Sequence, residues 1–166
     1  CMTSMDESWT LRNGLKIHHR SVLAAMTNKQ SHDDGCLSDK EINFLKRRAK
    51  GGFGIITTAA THVQQSGQGW TGEMGVWGDH HIPGLTRLAD GIREYGSKSF
   101  AQLFHGGMRS PSSLTGQQAV SASENFISNS EGSSREMTLE EVNETIRCFA
   151  DAAKRCEDAG FDLTPK

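Results

Sequence analysis

The sequence predicts an α/β fold in which parallel strands alternate with helices, and three observations support this. Short apolar runs alternate with longer segments whose apolar residues recur every three or four positions, the spacings of buried strands and amphipathic helices. The order strand, loop, helix occurs three times. Connections from helix to strand are short and glycine-rich, whereas those from strand to helix are long and polar. Right-handed crossovers within one sheet explain this order.

A hairpin and a buried strand are predicted first. Segments 9–12 and 15–19 alternate in polarity and are joined by Asn13-Gly14, a pair that favours the dihedral angles of a two-residue hairpin turn. The apolar run 21–26 follows and is predicted to be a strand buried on both faces.

The first predicted helix begins with a capping box. Ser38 and Glu41 have the Ser-x-x-Glu spacing that lets each side chain satisfy an amide of the other residue. Gly51-Gly52 ends this helix, and segment 53–57 is predicted to be the second strand, followed by a loop over 59–81.

Two more helices follow the same pattern. Pro83 suits the first turn of a helix that ends at Gly96, and segment 99–104 is predicted to be the third strand. The apolar stripe of this helix comprises Leu85, Leu88, Ala89 and Ile92. Loop 105–137 is long enough to suggest a functional role. The last helix has a second capping box, Thr138 with Glu141, and the apolar face Val142, Ile146, Phe149, Ala153 and Cys156. Gly160 ends it, and a fourth strand is expected to start at 161–163.

This pattern alone does not separate a closed barrel from an open doubly wound sheet. Barrel enzymes build their sites from the loops that follow the strands, and these loops are the long polar ones here. The asymmetry favours a (β/α)8 barrel and leaves the open sheet as an alternative.

Composition excludes several function classes. The chain has 166 residues, with 18 Lys and Arg against 20 Asp and Glu, so a net charge of -2 gives no basis for binding nucleic acid or an anionic membrane. No apolar run approaches the roughly 20 residues of a membrane span. The first residues lack the pattern of a signal peptide, so a cytoplasmic location is expected.

Metal-binding and nucleotide-binding motifs are missing from the sequence. There is no phosphate-binding P-loop, dinucleotide-binding glycine motif or hydrolase nucleophile elbow. The four cysteines form no C-x-x-C pair, and Cys36 is the only plausible reactive thiol. His80-His81 has no third ligand nearby in sequence, so no metal site is predicted.

The residues at the ends of the predicted strands point to a flat ligand. Segments 25–27, 58–61 and 102–107 would meet at one end of a parallel sheet. Their small residues permit close approach of a ligand to the backbone. Gln102 offers both a donor and an acceptor, which suits an imide or pyrimidine edge.

Four stretches, in order and spanning nearly the whole chain, resemble the Old Yellow Enzyme family of FMN-dependent NAD(P)H:flavin oxidoreductases and ene-reductases. They are "TLRNGLKIHHRSVLAAMT", "DGCLSDKEINFLKRRAKGGFGIITTAATHV", "GVWGDHHIPGLTRLADGIREYGSKSFAQLFHGG" and "MTLEEVNETIRCFADAAKRCEDAGFD". The resemblance implies FMN as cofactor, NADH or NADPH as reductant, and a small-molecule electron acceptor such as an activated alkene.

The resemblance also implies roles for individual residues. Segment 24–27, which is Ala24, Ala25, Met26 and Thr27, would line the flavin, with Thr27 near the reactive edge of the ring. The backbone of Ala60 would contact a ring carbonyl, and the Gln102 side chain would bond the pyrimidine edge. His105 is interpreted as structural, and Arg109 as either a pocket residue or a solvated one. No catalytic residue is expected in this portion, because the family's substrate-binding His and Asn residues and its Tyr follow later.

The departures from the family concern the end of the chain. Ala25 stands where the family usually has Pro, and His19 where it has Asn. The sequence closes with Leu-Thr-Pro-Lys at 163–166, where the family continues into a His-rich motif. A complete barrel needs about 250 residues. Residues 1–166 are therefore expected to be the N-terminal part of a single FMN-binding TIM barrel: a hairpin, about three βα units and the start of the fourth strand.

Three functions remain open at this point. The first is an incomplete flavin oxidoreductase that alone binds FMN weakly or not at all and shows no ene-reductase turnover. The second is an inactive half-barrel. Either would expose sheet edges, which favours a homo-oligomer or association with the remaining half of the barrel. The third is another barrel enzyme with a phosphate ligand, such as an aldolase or isomerase.

Overall fold

Parallel strands form the centre of the fold. The computed structural model describes residues 4–126 and 133–162. Strand β4 (Ile55–His62) lies between β3 (Val22–Leu23) and β6 (Lys98–Phe104), and both neighbours run parallel to it. The short strand β5 (Met74–Gly75) also pairs with β4 in parallel, at the last residues of β4.

The predicted hairpin precedes this sheet. Strands β1 (Trp9–Thr10) and β2 (Lys16–Ile17) pair antiparallel. Gly14 has a φ of 87° in the turn between them, a conformation that glycine adopts without steric cost. The hairpin prediction is therefore confirmed, but its strands are shorter than expected. The two-residue turn was wrong, because the Leu11 amide donates to the Leu15 carbonyl over 2.8 Å and residues 12–14 form the turn.

Helices follow the three main strands and cover one face of the sheet. They are α1 (Asp39–Lys50), α2 (Ile82–Arg93) and α4 (Leu139–Asp158). Their apolar faces form one core with the strands, which includes Leu23, Ile42, Leu45, Ile56, Leu85, Leu88, Ile92, Ala152 and Cys156. No helix in the described part of the chain is long and apolar enough to cross a membrane. The predicted alternation of parallel strands and helices is confirmed.

Two strand predictions need correction. Strand β4 runs to His62, five residues beyond the predicted end at 57, so the first residues of the predicted loop belong to the sheet. The predicted strand 21–26 forms only at 22–23, and Val22 is 52% exposed. Burial on both faces was wrong, because the described helices pack only on the face to which Leu23 points.

The two helix caps differ from each other. At α4, Thr138 and Glu141 form the complete capping box that the sequence predicts. At α1, Ser38 Oγ accepts from the Glu41 amide, but the Glu41 carboxylate turns to the preceding loop, where it accepts hydrogen bonds from Ser31 and Asn28. The reciprocal half of that box was wrong because the buried carboxylate holds the loop instead.

Helix α4 buries less of its predicted face than expected. Ala152 and Cys156 are fully buried, and Phe149 is half-buried. Val142 and Ile146 are 37% and 61% exposed. The buried residues all lie in the second half of the helix, so the predicted apolar face was wrong for the first half.

The long loop after β6 contains structure of its own. Helix α3 (Ser112–Thr115) is followed by β7 (Val120–Ser121), β8 (Asn125–Phe126) and β9 (Ser133–Glu136). Strands β8 and β9 are antiparallel, so the segment predicted to be a loop contains a strand pair without an intervening helix. Arg135 of β9 forms two hydrogen bonds with the Glu141 carboxylate, which connects this small sheet to the start of α4.

The chain returns to the main sheet after α4. Gly160, with a φ of 91°, ends the helix as predicted. The Asp162 amide donates to Ser99 O over 3.1 Å, and its carboxylate accepts from the Ser99 amide over 2.9 Å and pairs with Lys98 Nζ at 3.2 Å. These bonds put Asp162 beside the start of β6. The predicted fourth strand extends to Leu163, which lies outside the described residues, and the number of βα units stays a prediction.

Two leucines in helices test the assignment of the core. Leu88 of α2 is fully buried, whereas Leu139 of α4 is 76% exposed. We expect Leu88→Ala to lower the free energy of unfolding by about 2–5 kcal/mol, since it removes a buried side chain and leaves a cavity. Leu139→Ala should change it by less than about 0.5 kcal/mol. Urea unfolding monitored by circular dichroism measures both, and equal losses would contradict this core.

Candidate functional site

The carboxyl ends of the parallel strands bring two of the predicted site residues together. Ala60 of β4 and Gln102 of β6 are direct register partners. The segment after β3 leaves the sheet at the same end, because β3 runs parallel to β4. This edge therefore assembles segments 24–27, 60–62 and 102–105.

A one-residue register shift precedes the Ala60–Gln102 pair. Between Thr57 and Ala60, strand β4 advances by one residue more than β6 does. The backbone amide of Gln102 donates to Thr58 Oγ1 over 3.1 Å. The hydroxyls of Thr58 and Thr61 both donate to the Ala59 carbonyl, at 2.8 and 3.0 Å. These two buried threonines satisfy backbone groups that the bulge would otherwise leave unpaired.

The predicted cofactor residues differ in exposure. Ala60 is buried, Ala25 is half-buried, and Ala24 and Thr27 are exposed. Met26, a large apolar side chain in the segment that follows β3, is 50% exposed. The Gln102 side chain is exposed, and its amide group makes no hydrogen bond within residues 4–126 and 133–162.

This edge fits the ring system of FMN. Alanines 24, 25 and 60 leave space for a flat group, and Met26 offers it an apolar surface. The unpaired Gln102 amide supplies a donor and an acceptor where a polar ring edge needs both. This fit applies to the ring system of FMN and not to its phosphate group.

His105, directly after β6, is half-buried and packs on Gly67. A Cβ at position 67 would come within 2.4 Å of the imidazole, so only glycine allows this contact. His105 Nδ1 accepts from the Gly107 amide over 3.0 Å, and burial lowers the pKa of this histidine. Arg109 is exposed. These contacts agree with a structural role for His105, which stays a prediction.

A buried carboxyl and imidazole lie side by side below this edge. Glu73 Oε2 is 3.5 Å from His62 Nδ1 and accepts from the Gly69 amide over 2.7 Å. Both residues are 1% exposed. Burial raises the pKa of Glu73 to about 7 and lowers the pKa of His62 to about 4. The distance alone would permit an ion pair, but burial penalises both charges, so the neutral pair is favoured.

The structure also supplies the third ligand that His80-His81 lacks in sequence. Cys36 Sγ lies 3.9 Å from His81 Nδ1, and Cys36, His80 and His81 offer ligand atoms that are all within 4.8 Å of one another. Burial lowers the pKa of His81 to about 4, with the neighbouring His80 as a second cause. Sequence spacing could not reveal this cluster, because Cys36 and His81 are 45 residues apart.

The family of the chain follows from comparison with known proteins. The NADH:flavin oxidoreductase / NADH oxidase family matches residues 9–164. The chain belongs to this family. Its members' cofactors, FMN with NADH or NADPH, are those that the sequence predicts. An aldolase or isomerase is thereby not favoured.

Two curated relatives illustrate the match. The probable NADH-dependent flavin oxidoreductase YqiG of Bacillus subtilis is 35% identical over 156 residues, which cover 94% of this chain and 42% of that protein. The NADH:acrylate oxidoreductase of Vibrio harveyi is 36% identical over 163 residues, or 97% of this chain and 16% of that protein. The chain thus spans less than half the length of these relatives.

A solved structure shows the same fold. The Old Yellow Enzyme homologue from Zymomonas mobilis superposes with a TM-score of 0.88 at 23% sequence identity. The match covers 98% of this chain and 47% of that one. Together with the family, it confirms that the chain forms part of an α/β barrel, as the sequence predicts, and not an open doubly wound sheet.

The Glu73 carboxyl provides a test by pH. Its pKa of about 7 in the folded chain exceeds the usual 4.5, so the folded state holds a proton that the unfolded chain releases between these values. The stability that this proton binding gives the folded state is fully present below about pH 4.5 and is lost as pH rises through 7. Glu73→Gln cannot ionise at this position. As pH rises from 5 to 8, we therefore expect its free energy of unfolding to increase by about 2–3 kcal/mol relative to that of the parent.

Urea unfolding at both pH values measures this difference. Glu144→Gln, an exposed change on α4, controls for the loss of one negative charge. An equal offset between Glu73→Gln and the parent at pH 5 and pH 8 would show that Glu73 does not titrate in this range.

Proposed function

We propose that this chain is the N-terminal, ring-binding part of an FMN-dependent NAD(P)H oxidoreductase of the Old Yellow Enzyme type. Residues 1–166 form, on this proposal, one portion of a single barrel domain whose other portion carries the substrate ligands and the phosphate site. The observation that carries the proposal is the exposed Gln102 amide, which has no partner among the described residues and lies in register with Ala60 at the carboxyl end of the sheet. Family membership supports it.

The residues of this edge would bind and orient the ring. Gln102 would donate to and accept from the pyrimidine edge, while the Ala60 backbone would contact a ring carbonyl. Ala24 and Ala25 would allow close approach, and Thr27 would place its amide or hydroxyl near the reactive edge. Bound FMN would accept hydride from NAD(P)H and pass it to a small-molecule acceptor.

Hydrogen bonding at this edge would also adjust the ring's electronics. A donor at the pyrimidine edge stabilises negative charge there, which favours the reduced ring. Substrate positioning and proton donation are assigned to residues outside this chain. Acrylate is the acceptor in the name of the Vibrio relative, and an activated alkene of this kind is the acceptor class we propose.

NMR titration with FMN tests the proposed edge. In the 15N-labelled chain, FMN should shift the resonances of the backbone amides of Thr27, Ala60 and Gln102. The affinity should be weak, because the proposal assigns the phosphate site to the other portion of the barrel. Gln102→Leu should weaken binding about tenfold, the loss of one hydrogen bond to a polar ring edge.

Gln118→Leu, at an exposed glutamine of the long loop, is the matched control and should leave the affinity unchanged. Shifts confined to other parts of the chain, or equal affinity for Gln102→Leu and the parent, would contradict the ring site. Turnover of an alkene by the chain alone would contradict the assignment of the substrate ligands to another portion.

Exposed apolar side chains support a second part of this proposal, namely that the chain associates with a second copy or with the rest of a barrel. Val22 and Met26 are about half-exposed, and Leu139 and Ile146 are more exposed still. Together they leave apolar surface uncovered on the sheet and on the first half of α4, which favours association.

Light scattering measures this association. We expect the chain alone to show a mass above the 18.1 kDa of a monomer, and Ile146→Lys to lower it because a charge replaces an apolar contact. A monomer at all concentrations would rule out the homo-oligomer.

A further inference from the structure

Two loops at the carboxyl ends of the parallel strands meet at the cluster of Cys36, His80 and His81. Cys36 lies just before the Ser38 cap of α1, and its amide donates to Asp34 Oδ1 over 2.9 Å. The two histidines lie in the 3-10 turn 79–81 that leads directly into α2. Each ligand group therefore stands at the start of a helix that is anchored in the core.

The backbone around Cys36 is held tightly in place. Gly35 has a φ of 82°, and its carbonyl accepts from the Gly75 amide of β5 over 2.9 Å. A Cβ at position 35 would lie 3.1 Å from both the Gly75 nitrogen and the His62 ring. The loop is thus fixed against β5, which sets the position of the Cys36 thiol before any ligand binds.

The distances are close to those of a metal centre. A sulfur and a nitrogen bound to one tetrahedral zinc ion lie about 3.6 Å apart, and two nitrogens about 3.4 Å. The Cys36 Sγ to His81 Nδ1 distance is 3.9 Å, and all three ligand atoms fall within 4.8 Å. A movement of about an ångström brings the three ligand atoms to the distances found around one zinc ion. Rotation of the His80 side chain can provide this movement, because that side chain is exposed.

A polar atom in this cluster lacks a partner. His81 is 3% exposed, yet its Nε2 is buried without a hydrogen bond to the described residues. Trp77 packs edge-on against both imidazoles, with centroid distances of 4.6 Å to His80 and 5.2 Å to His81.

Space for a fourth ligand adjoins the cluster. A cavity of about 320 Å³ is lined by Asp34, His62, Trp77 and His80, among others. It is large enough for water, and the Asp34 carboxylate stands beside it. One thiolate, two imidazoles and an oxygen ligand form a set that zinc accepts in proteins.

We propose that Cys36, His80 and His81 bind a zinc ion, with water or Asp34 in the fourth position, and that this ion ties the loop after β3 to the start of α2. The site is separate from the edge proposed for FMN, whose residues are Ala24, Ala25, Met26, Thr27, Ala60 and Gln102. Binding exchanges the thiol proton for the metal and involves no redox step.

Titration of the reduced, full chain with Co²⁺ tests this site, since Co²⁺ takes the place of zinc and is coloured. We expect one equivalent of Co²⁺ to give a thiolate-to-cobalt charge-transfer band and the strong visible bands of tetrahedral cobalt, and Zn²⁺ to erase both. Zn²⁺ should also raise the melting temperature. Cys36→Ser should abolish the charge-transfer band, and His80→Gln should weaken Co²⁺ binding at least about 10-fold.

Matched controls separate this site from other thiols and histidines. Cys148→Ser changes a half-buried thiol on α4, Cys1→Ser changes the first residue, and His32→Gln changes an exposed histidine. All three should keep the cobalt spectrum. Since His80 is exposed, His80→Gln should keep the parent's circular dichroism, so its loss of binding reports on the ligand and not on folding.

Three results would overturn the proposal. These are the absence of one-to-one Co²⁺ binding by the parent chain, a charge-transfer band that persists in Cys36→Ser, and a band that disappears in Cys1→Ser or Cys148→Ser.

Discussion

The parallel pairing of β4 with β6 is the constraint on which the rest of the structure depends. A central strand is buried on both edges, so each of its amides and carbonyls needs a partner. The register shift after Thr57 breaks this ladder, and the hydroxyls of Thr58 and Thr61 restore it. The same shift sets Ala60 opposite Gln102. The geometry of the candidate flavin edge thus follows from a solution to a backbone hydrogen-bonding problem.

Two different groups of side chains lie in separate places at the carboxyl ends of the strands. Small and apolar side chains with the Gln102 amide form a shallow edge suited to a flat ring. The Cys36 and His81 groups lie instead where loops enter helices, and the His81 ring packs against Trp77. Because both regions rest on β4 and its neighbours, a change in the position of that strand would affect both.

Much of the fold could be predicted from the sequence, because periodicity and capping residues act locally. Helices α1, α2 and α4 and the Thr138 capping box belong to this class. The extension of β4 to His62 could not be predicted, since it depends on threonine side chains that repair a bulge. The exposure of Ile146 could not be predicted either, because it depends on which element packs there. At the candidate site, resemblance supplied the residues for the ring, whereas the Cys36 cluster required the three-dimensional proximity of distant segments.

The attachment of Asp162 to Ser99 has a consequence for how the protein can vary. These two residues, 63 positions apart, join the end of α4 to the start of β6 at the side of the sheet opposite the long loop. Closing a flexible loop costs free energy that grows only with the logarithm of its length, by about 0.6 kcal/mol per doubling. Insertions at the exposed turn of Gly116 and Gln117, which leave the Arg135–Glu141 pair intact, should therefore leave the strand–helix frame nearly unchanged. That segment is where a lineage can alter access to the barrel rim without moving the sheet that supports it.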